Sequence, residues 1–140
     1  MAGRWRAERL ITDYRSGITG VFIGTASFTR LGDPADPGAL AYREDGELVY
    51  GRHRGPASRS LLYLPAANGA MAVQFADGRD FYALDLRSGT CQAEHPCGQD
   101  SYYVTVRLLG PDAYTEHWRV TGRGKDYLMT TTLTRIGTAA

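Results

Sequence analysis

The sequence predicts an all-β fold, an antiparallel barrel of eight or nine strands with a short N-terminal helix, and three observations predict it. Turn signals recur at short, nearly even intervals: Asp33-Pro34 with Asp36-Pro37-Gly38, Asp45-Gly46, Asn68-Gly69, Asp77-Gly78, Ser88-Gly89, Gly110-Pro111-Asp112 and Gly122-Arg123-Gly124. Between them lie short runs rich in Val, Ile, Thr, Tyr and Phe, the pattern of an antiparallel all-β domain. Three of the turns are the Asp-Gly and Asn-Gly dipeptides of tight hairpins. So many strands must close or form two layers to hide their edges, and consecutive hairpins favour the barrel.

The first element is the exception. Residues 4–14 carry Trp5, Leu10, Ile11 and Tyr14 at helical spacing, which predicts a helix that could plug one end of the barrel. Strands follow at about 18–30, 39–44, 47–53, 57–64, 70–76, 79–86, 100–109, 113–121 and 126–136, with 31–38 and 87–99 as loops. No repeat or linker divides the chain, so residues 1–140 are expected to form a single domain.

Side chains of a strand alternate between faces, so the apolar set marks the inside. Over 100–108 that set is Asp100, Tyr102, Val104, Val106 and Leu108. Over 113–121 it is Tyr114, Trp118 and Val120, which carries Glu116 inward. Over 126–135 it is Tyr127, Met129, Thr131, Leu133 and Arg135. Earlier strands add Leu40, Tyr42 and Glu44, then Arg59, Leu61 and Tyr63. Around Asp77-Gly78 a bulged turn is favoured, which aligns Phe75 with Arg79 and Phe81. The expected interior therefore mixes Glu44, Arg59, Arg79, Asp100, Glu116 and Arg135 with aromatic rings. Buried charges cost several kcal/mol each unless paired, so such a set is either a salt-bridge network or the lining of a wet pocket.

Composition narrows the function. The formal net charge is +1, and fifteen scattered Arg with the single Lys125 form no basic stripe, so nucleic acid is not an expected partner. There is no run of about 18 apolar residues and no apolar leader, which predicts no membrane partner and a cytoplasmic location. Cys91 and Cys97 are then expected reduced. Cys91, His95 and Cys97 lack paired ligand spacing, and no metal site is expected. Gly122-Arg-Gly-Lys125 is not a phosphate-binding loop, and neither a nucleophile elbow nor a dinucleotide fingerprint occurs, so no cofactor is expected.

Several stretches resemble a small uncharacterised family of lipocalin-like, or calycin-like, proteins catalogued as a domain of unknown function. They are Trp5 with the Arg9 region, Gly20-Val-Phe-Ile-Gly24 to Phe28, Phe75-Ala-Asp-Gly-Arg79-Asp-Phe81, His95-Pro-Cys-Gly-Gln-Asp100-Ser-Tyr102, and Trp118-Arg-Val-Thr-Gly122-Arg-Gly-Lys125-Asp126-Tyr127 to Arg135. The resemblance implies a calycin-like barrel of eight to ten strands with a ligand cavity, and brings no agreed activity.

His95, Asp100 and Tyr102 are the candidate acid/base residues, with Glu116 as a further proton-transfer group: imidazole titrates near neutrality and a phenol can donate to a developing oxyanion. A structural alternative has His95 capping its loop on Asp100. Arg59, Arg79, Phe81, Tyr63, Trp118, Lys125, Tyr127 and Arg135 are the candidate substrate-binding residues. Lys125 could form a Schiff base, bind an anion, or simply occupy a solvated turn. The expected function is binding of a small hydrophobic ligand by a monomer or homodimer, with cofactor-free cyclisation or isomerisation as the reaction. The alternative is a non-catalytic carrier or sensor.

Overall fold

The computed structural model describes residues 2–32, 34–35 and 37–137; the turn positions Asp33 and Asp36 lie outside the described residues. Ten strands form one antiparallel sheet: β1 (Gly3–Asp13), β2 (Thr19–Arg30), β3 (Leu40–Tyr50), β4 (His53–Pro65), β5 (Met71–Phe75), β6 (Asp80–Leu84), β7 (Thr90–Cys97), β8 (Asp100–Gly110), β9 (Ala113–Thr121) and β10 (Asp126–Gly137). Their order is β6-β5-β4-β3-β2-β1-β10-β9-β8-β7. The first and last strands pair, and the sheet curls into a nearly closed barrel whose seam lies between β6 and β7. At the seam the Asp85 amide donates to Cys91 Sγ at 3.4 Å, and the Cys91 thiol donates to the Ala83 carbonyl at 3.6 Å. Among the described residues no helix is long and apolar enough to cross a membrane.

The expected N-terminal helix is instead β1. Trp5, Ala7 and Arg9 are buried while Arg6, Glu8 and Leu10 are exposed, a period of two. β1 pairs with β2 on one side and β10 on the other along nearly its whole length, and this double ladder overrides the local helical tendency of Arg-Ala-Glu-Arg-Leu. A second correction concerns Asp45-Gly46, which is no hairpin turn. β3 runs through it, and Gly46 faces Gly24 of β2. A Cβ on Gly46 would lie 2.3 Å from the Ile23 carbonyl oxygen, and one on Gly24 2.3 Å from that of Asp45. Glycine stands there because two backbones close on each other. The turn comes later, at Gly51-Arg52.

The expected loop at 87–99 contains β7, paired with β8 from Thr90↔Arg107 to Cys97↔Asp100. Both cysteines lie on this strand and are free thiols. Six residue steps along the strand separate them by about 20 Å, too far for a disulfide. Asn68-Gly69 forms one turn of 3₁₀ helix, with Asn68 in the left-handed region at φ 60°, in place of a two-residue hairpin. At Asp77-Gly78 the hairpin is bulged: Val73 pairs with Tyr82 and Gln74 with Asp80, leaving Phe81 as the extra residue. The bulge turns the adjacent Phe81 and Tyr82 both inward, 9% and 7% exposed.

In this up-and-down arrangement the β1–β2, β3–β4, β5–β6, β7–β8 and β9–β10 turns gather at one end, here called the mouth. The other end is the base. Near the base the core is aromatic: Tyr63 packs against Phe28 (5.0 Å between ring centres) and Tyr42, and Trp5 meets Tyr114 edge-on at 5.2 Å. Arg135 closes this end over Trp5, pairing with Asp112 and donating to the Ala2 carbonyl.

Candidate functional site

The wall is uneven on the mouth side. β5 and β6 have five residues each, against thirteen in β4 and eleven in β8. β5 pairs only with Leu61–Pro65, so His53–Ser60 of β4 has no strand on that side. The low hairpin leaves a notch in the barrel wall. Beside it a cavity of about 280 Å³ is lined by Phe75, Arg79, Asp80, Phe81, His95, Pro96, Cys97 and Tyr102.

The lining is built by cross-strand pairing. His95 and Tyr102 are partners on β7 and β8, their ring centres 5.9 Å apart. The His95 ring meets Phe81 edge-on at 5.4 Å and Phe75 at 6.0 Å. Phe81 is stacked between Phe75 (4.4 Å) and Trp118 (4.9 Å), the latter nearly parallel at 11°. These are the offset and edge-to-face arrangements that aromatic pairs favour.

A polar cluster adjoins this aromatic wall. Lys125 Nζ donates to the Tyr102 hydroxyl at 2.7 Å and pairs with Asp100 at 3.2 Å. These two contacts hold the Lys125 ammonium protonated, above its ordinary range. A neutral amine for Schiff-base chemistry is correspondingly disfavoured. Because Lys125 donates, the Tyr102 hydroxyl keeps its own proton available for a ligand oxygen. Asp100 packs so close to Gly122 that a Cβ there would lie 1.9 Å from its Oδ1, which accounts for the glycine. Tyr127 is half-buried beside this group, and burial, with Tyr102 nearby, pushes its hydroxyl up.

Below this rim the interior carries a layer of charge. Arg9 grips Glu44 with two hydrogen bonds, Nη1 to Oε1 at 2.7 Å and Nη2 to Oε2 at 2.9 Å, and its Nε donates to Thr131 at 2.8 Å. Tyr42 donates to the same carboxylate. Burial pushes Glu44 up, but the Arg9 hydrogen bonds, the charges of Arg59 and Arg9 and the Tyr42 hydroxyl together hold it below the usual carboxylate range. Arg59 stands across from Glu44 in the β3–β4 register, 3.4 Å away. Glu116 is buried, and the loss of solvent raises its carboxyl above the ordinary range against the pull of Arg59 and Arg9. Among the described residues no group of three His, Cys, Asp or Glu side chains is placed to hold a metal ion.

The sequence-derived residues thus separate into groups. His95, Asp100, Tyr102, Phe81, Trp118, Lys125 and Tyr127 come together at or just beneath the mouth. Glu116 and Arg59 belong to the charged layer; Glu116 lies four residues along β9 from Val120, the partner of Tyr102, which is about 13 Å of strand. Arg79, expected on the inner face, is exposed in the β5–β6 turn, where it pairs with Asp77 and covers the Phe75 ring at 5.2 Å. A bulged turn frees its terminal residue from the strand's alternation, so Arg79 reaches the rim from outside. Tyr63 is in the core near the base, and Arg135 closes the base. His95 does not cap a loop: it is a strand residue, and the partner of Asp100 is Lys125.

Arg9 is the residue that sequence reasoning left out of the site. Its signal was the alternation Trp5, Ala7, Arg9, hidden by the helical reading of the same segment.

Among curated proteins none matches the chain. Among solved structures the barrel is similar to the S-type phycobiliprotein lyase CPES from Guillardia theta, at TM-score 0.63 and 12% identity over 99% of this chain and 89% of that one. A redesigned β-barrel, mFAP0, bound to DFHBI, matches at TM-score 0.48 and 16% identity over 96% of this chain and 97% of that one. The likeness to the lyase is one of fold alone. The model of a family of unknown function, DUF6314, matches residues 1–135, and the chain belongs to that family.

Proposed function

We propose that this barrel binds a small, flexible, largely apolar molecule in the cavity between the β5–β6 hairpin and β7–β8, and promotes its cyclisation or isomerisation without a cofactor. The observation that carries the proposal is the pairing of an aromatic wall, Phe75 and Phe81, with two proton-handling side chains, His95 and the Lys125-supported Tyr102, around one cavity. Pockets for small molecules have this make-up, mostly apolar with a few directed polar groups. The Tyr102 hydroxyl is placed to stabilise negative charge developing on a ligand oxygen, while His95, its cross-strand neighbour, exchanges a proton. Holding a flexible chain against the rings supplies orientation, worth about 7–11 kcal/mol in favourable cases. The solved lyase of like fold acts, by its name, on phycobiliproteins, which accords with small-molecule chemistry on such a scaffold.

The test begins with native mass spectrometry of the protein from its own host, extraction of the co-purifying compound, and assay of its turnover. His95→Ala and Tyr102→Phe are each expected to slow turnover by about 10²-fold or more. Saturable binding with no rate effect would replace the enzyme by the carrier reading. If no small molecule binds saturably, and filling the cavity by Phe81→Trp changes nothing, the proposal fails.

A further inference from the structure

Among the described residues Arg59 is the cation of the inner layer whose hydrogen-bonding capacity is left unused. The Glu44 carboxylate that it faces is already engaged by two hydrogen bonds from Arg9 and one from Tyr42. Arg59 therefore has only an ion-pair contact, from its buried Nε to Glu44 Oε1 at 3.4 Å without hydrogen-bond geometry, and among the described residues neither terminal amino group donates to a protein atom. Nor is the guanidinium sealed off. Its side chain is 32% exposed although its neighbours on the inner face of β4, Leu61 and Tyr63, are buried. Arg59 belongs to the stretch of β4 that β5 does not cover, beside the notch. It stands one inward position beyond Leu61, the partner of Phe75, about 7 Å along the strand from a ring that lines the cavity.

The Trp118 indole N–H lies on the same inner face of β9 as Glu116; it makes no close hydrogen bond, and its proximity to the Glu116 carboxyl helps to hold that group down. A buried donor left short of a full hydrogen bond calls for a physical reason. Arg9 and Arg59 face Glu44 and Glu116, with the Tyr42 and Tyr63 hydroxyls nearby, and loss of solvent raises the Glu116 carboxyl above its ordinary range.

Building on the small-molecule reading of the cavity, we infer that the ligand carries a single carboxylate, which docks through the notch onto the free edge of Arg59 while its apolar body lies against Phe75 and Phe81. The planar guanidinium fork matches a carboxylate with two parallel N–H donors, which a lone hydroxyl or carbonyl cannot use fully.

The experiment titrates the intact protein with naphthoate and, separately, with the uncharged naphthylmethanol, followed by the ¹⁵N–¹H resonances of the Trp118 indole and of Arg59 Nε. The expected result is binding of naphthoate at least about tenfold tighter than the alcohol, the scale of one charge-assisted hydrogen bond. Naphthoate should move the Arg59 Nε signal, and Arg59→Met should abolish the preference while leaving the alcohol's affinity in place. Equal affinity of the two probes for the wild-type protein overturns the carboxylate inference and leaves the small-molecule reading standing. Saturable binding of neither probe overturns both. The wild-type comparison stands even if Arg59→Met fails to fold.

Discussion

At the scale of single residues, the charged layer shows how one barrel shifts two buried carboxyls in opposite directions. Glu44 is wrapped by donors and stays ionised; Glu116, equally buried, lies beside the same cations without a hydrogen bond from them. The folded-state carboxyl of Glu116 is raised above its ordinary 4.5, so above that pH the native protein holds a proton that the unfolded chain has released. Stability then falls as pH rises from about 4.5 toward the folded value, and Glu116→Gln removes this loss. The expected outcome is a melting-temperature difference, variant minus wild type, that grows from pH 4.5 to neutrality. A difference that is flat in pH would show that Glu116 titrates normally. Glu44 behaves in the opposite sense: its pairing contributes stability above the unfolded carboxyl range, which disappears as pH falls through its depressed folded value. Removing the Glu44 carboxylate leaves Arg9 and Arg59 buried without it, a loss expected to reach about 3–5 kcal/mol.

Individual elements reveal which signals are legible in a sequence. β9 was readable residue by residue, because an apolar alternation such as Tyr114, Trp118, Val120 survives even when Glu116 interrupts it, whereas Leu108 of β8, expected inward with Val104 and Val106, is exposed near the strand's end. β1 was not, since Trp5-Arg-Ala-Glu-Arg9 satisfies both a helical and a strand period, and only its two neighbouring strands decide between them. β7 was masked by Pro96, Gly98 and polar residues; as an edge strand it tolerates a proline that a central strand would not. The candidate site was legible in its mouth residues, where sequence neighbours such as His95, Asp100 and Tyr102 share one hairpin. The charged layer was half hidden, because Arg9 sat in the misread element. Asp45-Gly46 failed for another reason: its glycine serves a backbone crossing. A tight crossing predicts its own test. Gly24→Ala places a Cβ 2.3 Å from the Asp45 carbonyl oxygen, and should lower stability by about 1–3 kcal/mol in urea unfolding, whereas Gly98→Ala changes no packing contact. Gly98 sits at φ 63°, so the control is compared after subtracting its own left-handed backbone penalty.

For the molecule as a whole, the arrangement of pairings matters more than any one contact. Every strand hydrogen-bonds to its sequence neighbour except across the seam, where β6 and β7 meet through the Cys91 thiol and side-chain packing. Closure is supplied instead by β1 and β10, from Arg4↔Gly137 to Asp13↔Tyr127. In kinetic terms, nine hairpin-like steps would be local if the chain started at the seam, but the natural order makes one of them join residues more than a hundred positions apart. Loop closure of that length carries an entropic cost before any β1–β10 contact forms, and folding rates fall as contacts become less local. A circular permutant that links the described ends and opens at Ser88-Gly89 keeps all nine ladders and converts the last remote pairing into a neighbouring one. Its folding rate in stopped-flow refolding should exceed that of the natural chain, with the unfolding rate little changed. The seam is thus the barrel's alternative point of origin, the one place where the ring can be cut without removing a rung.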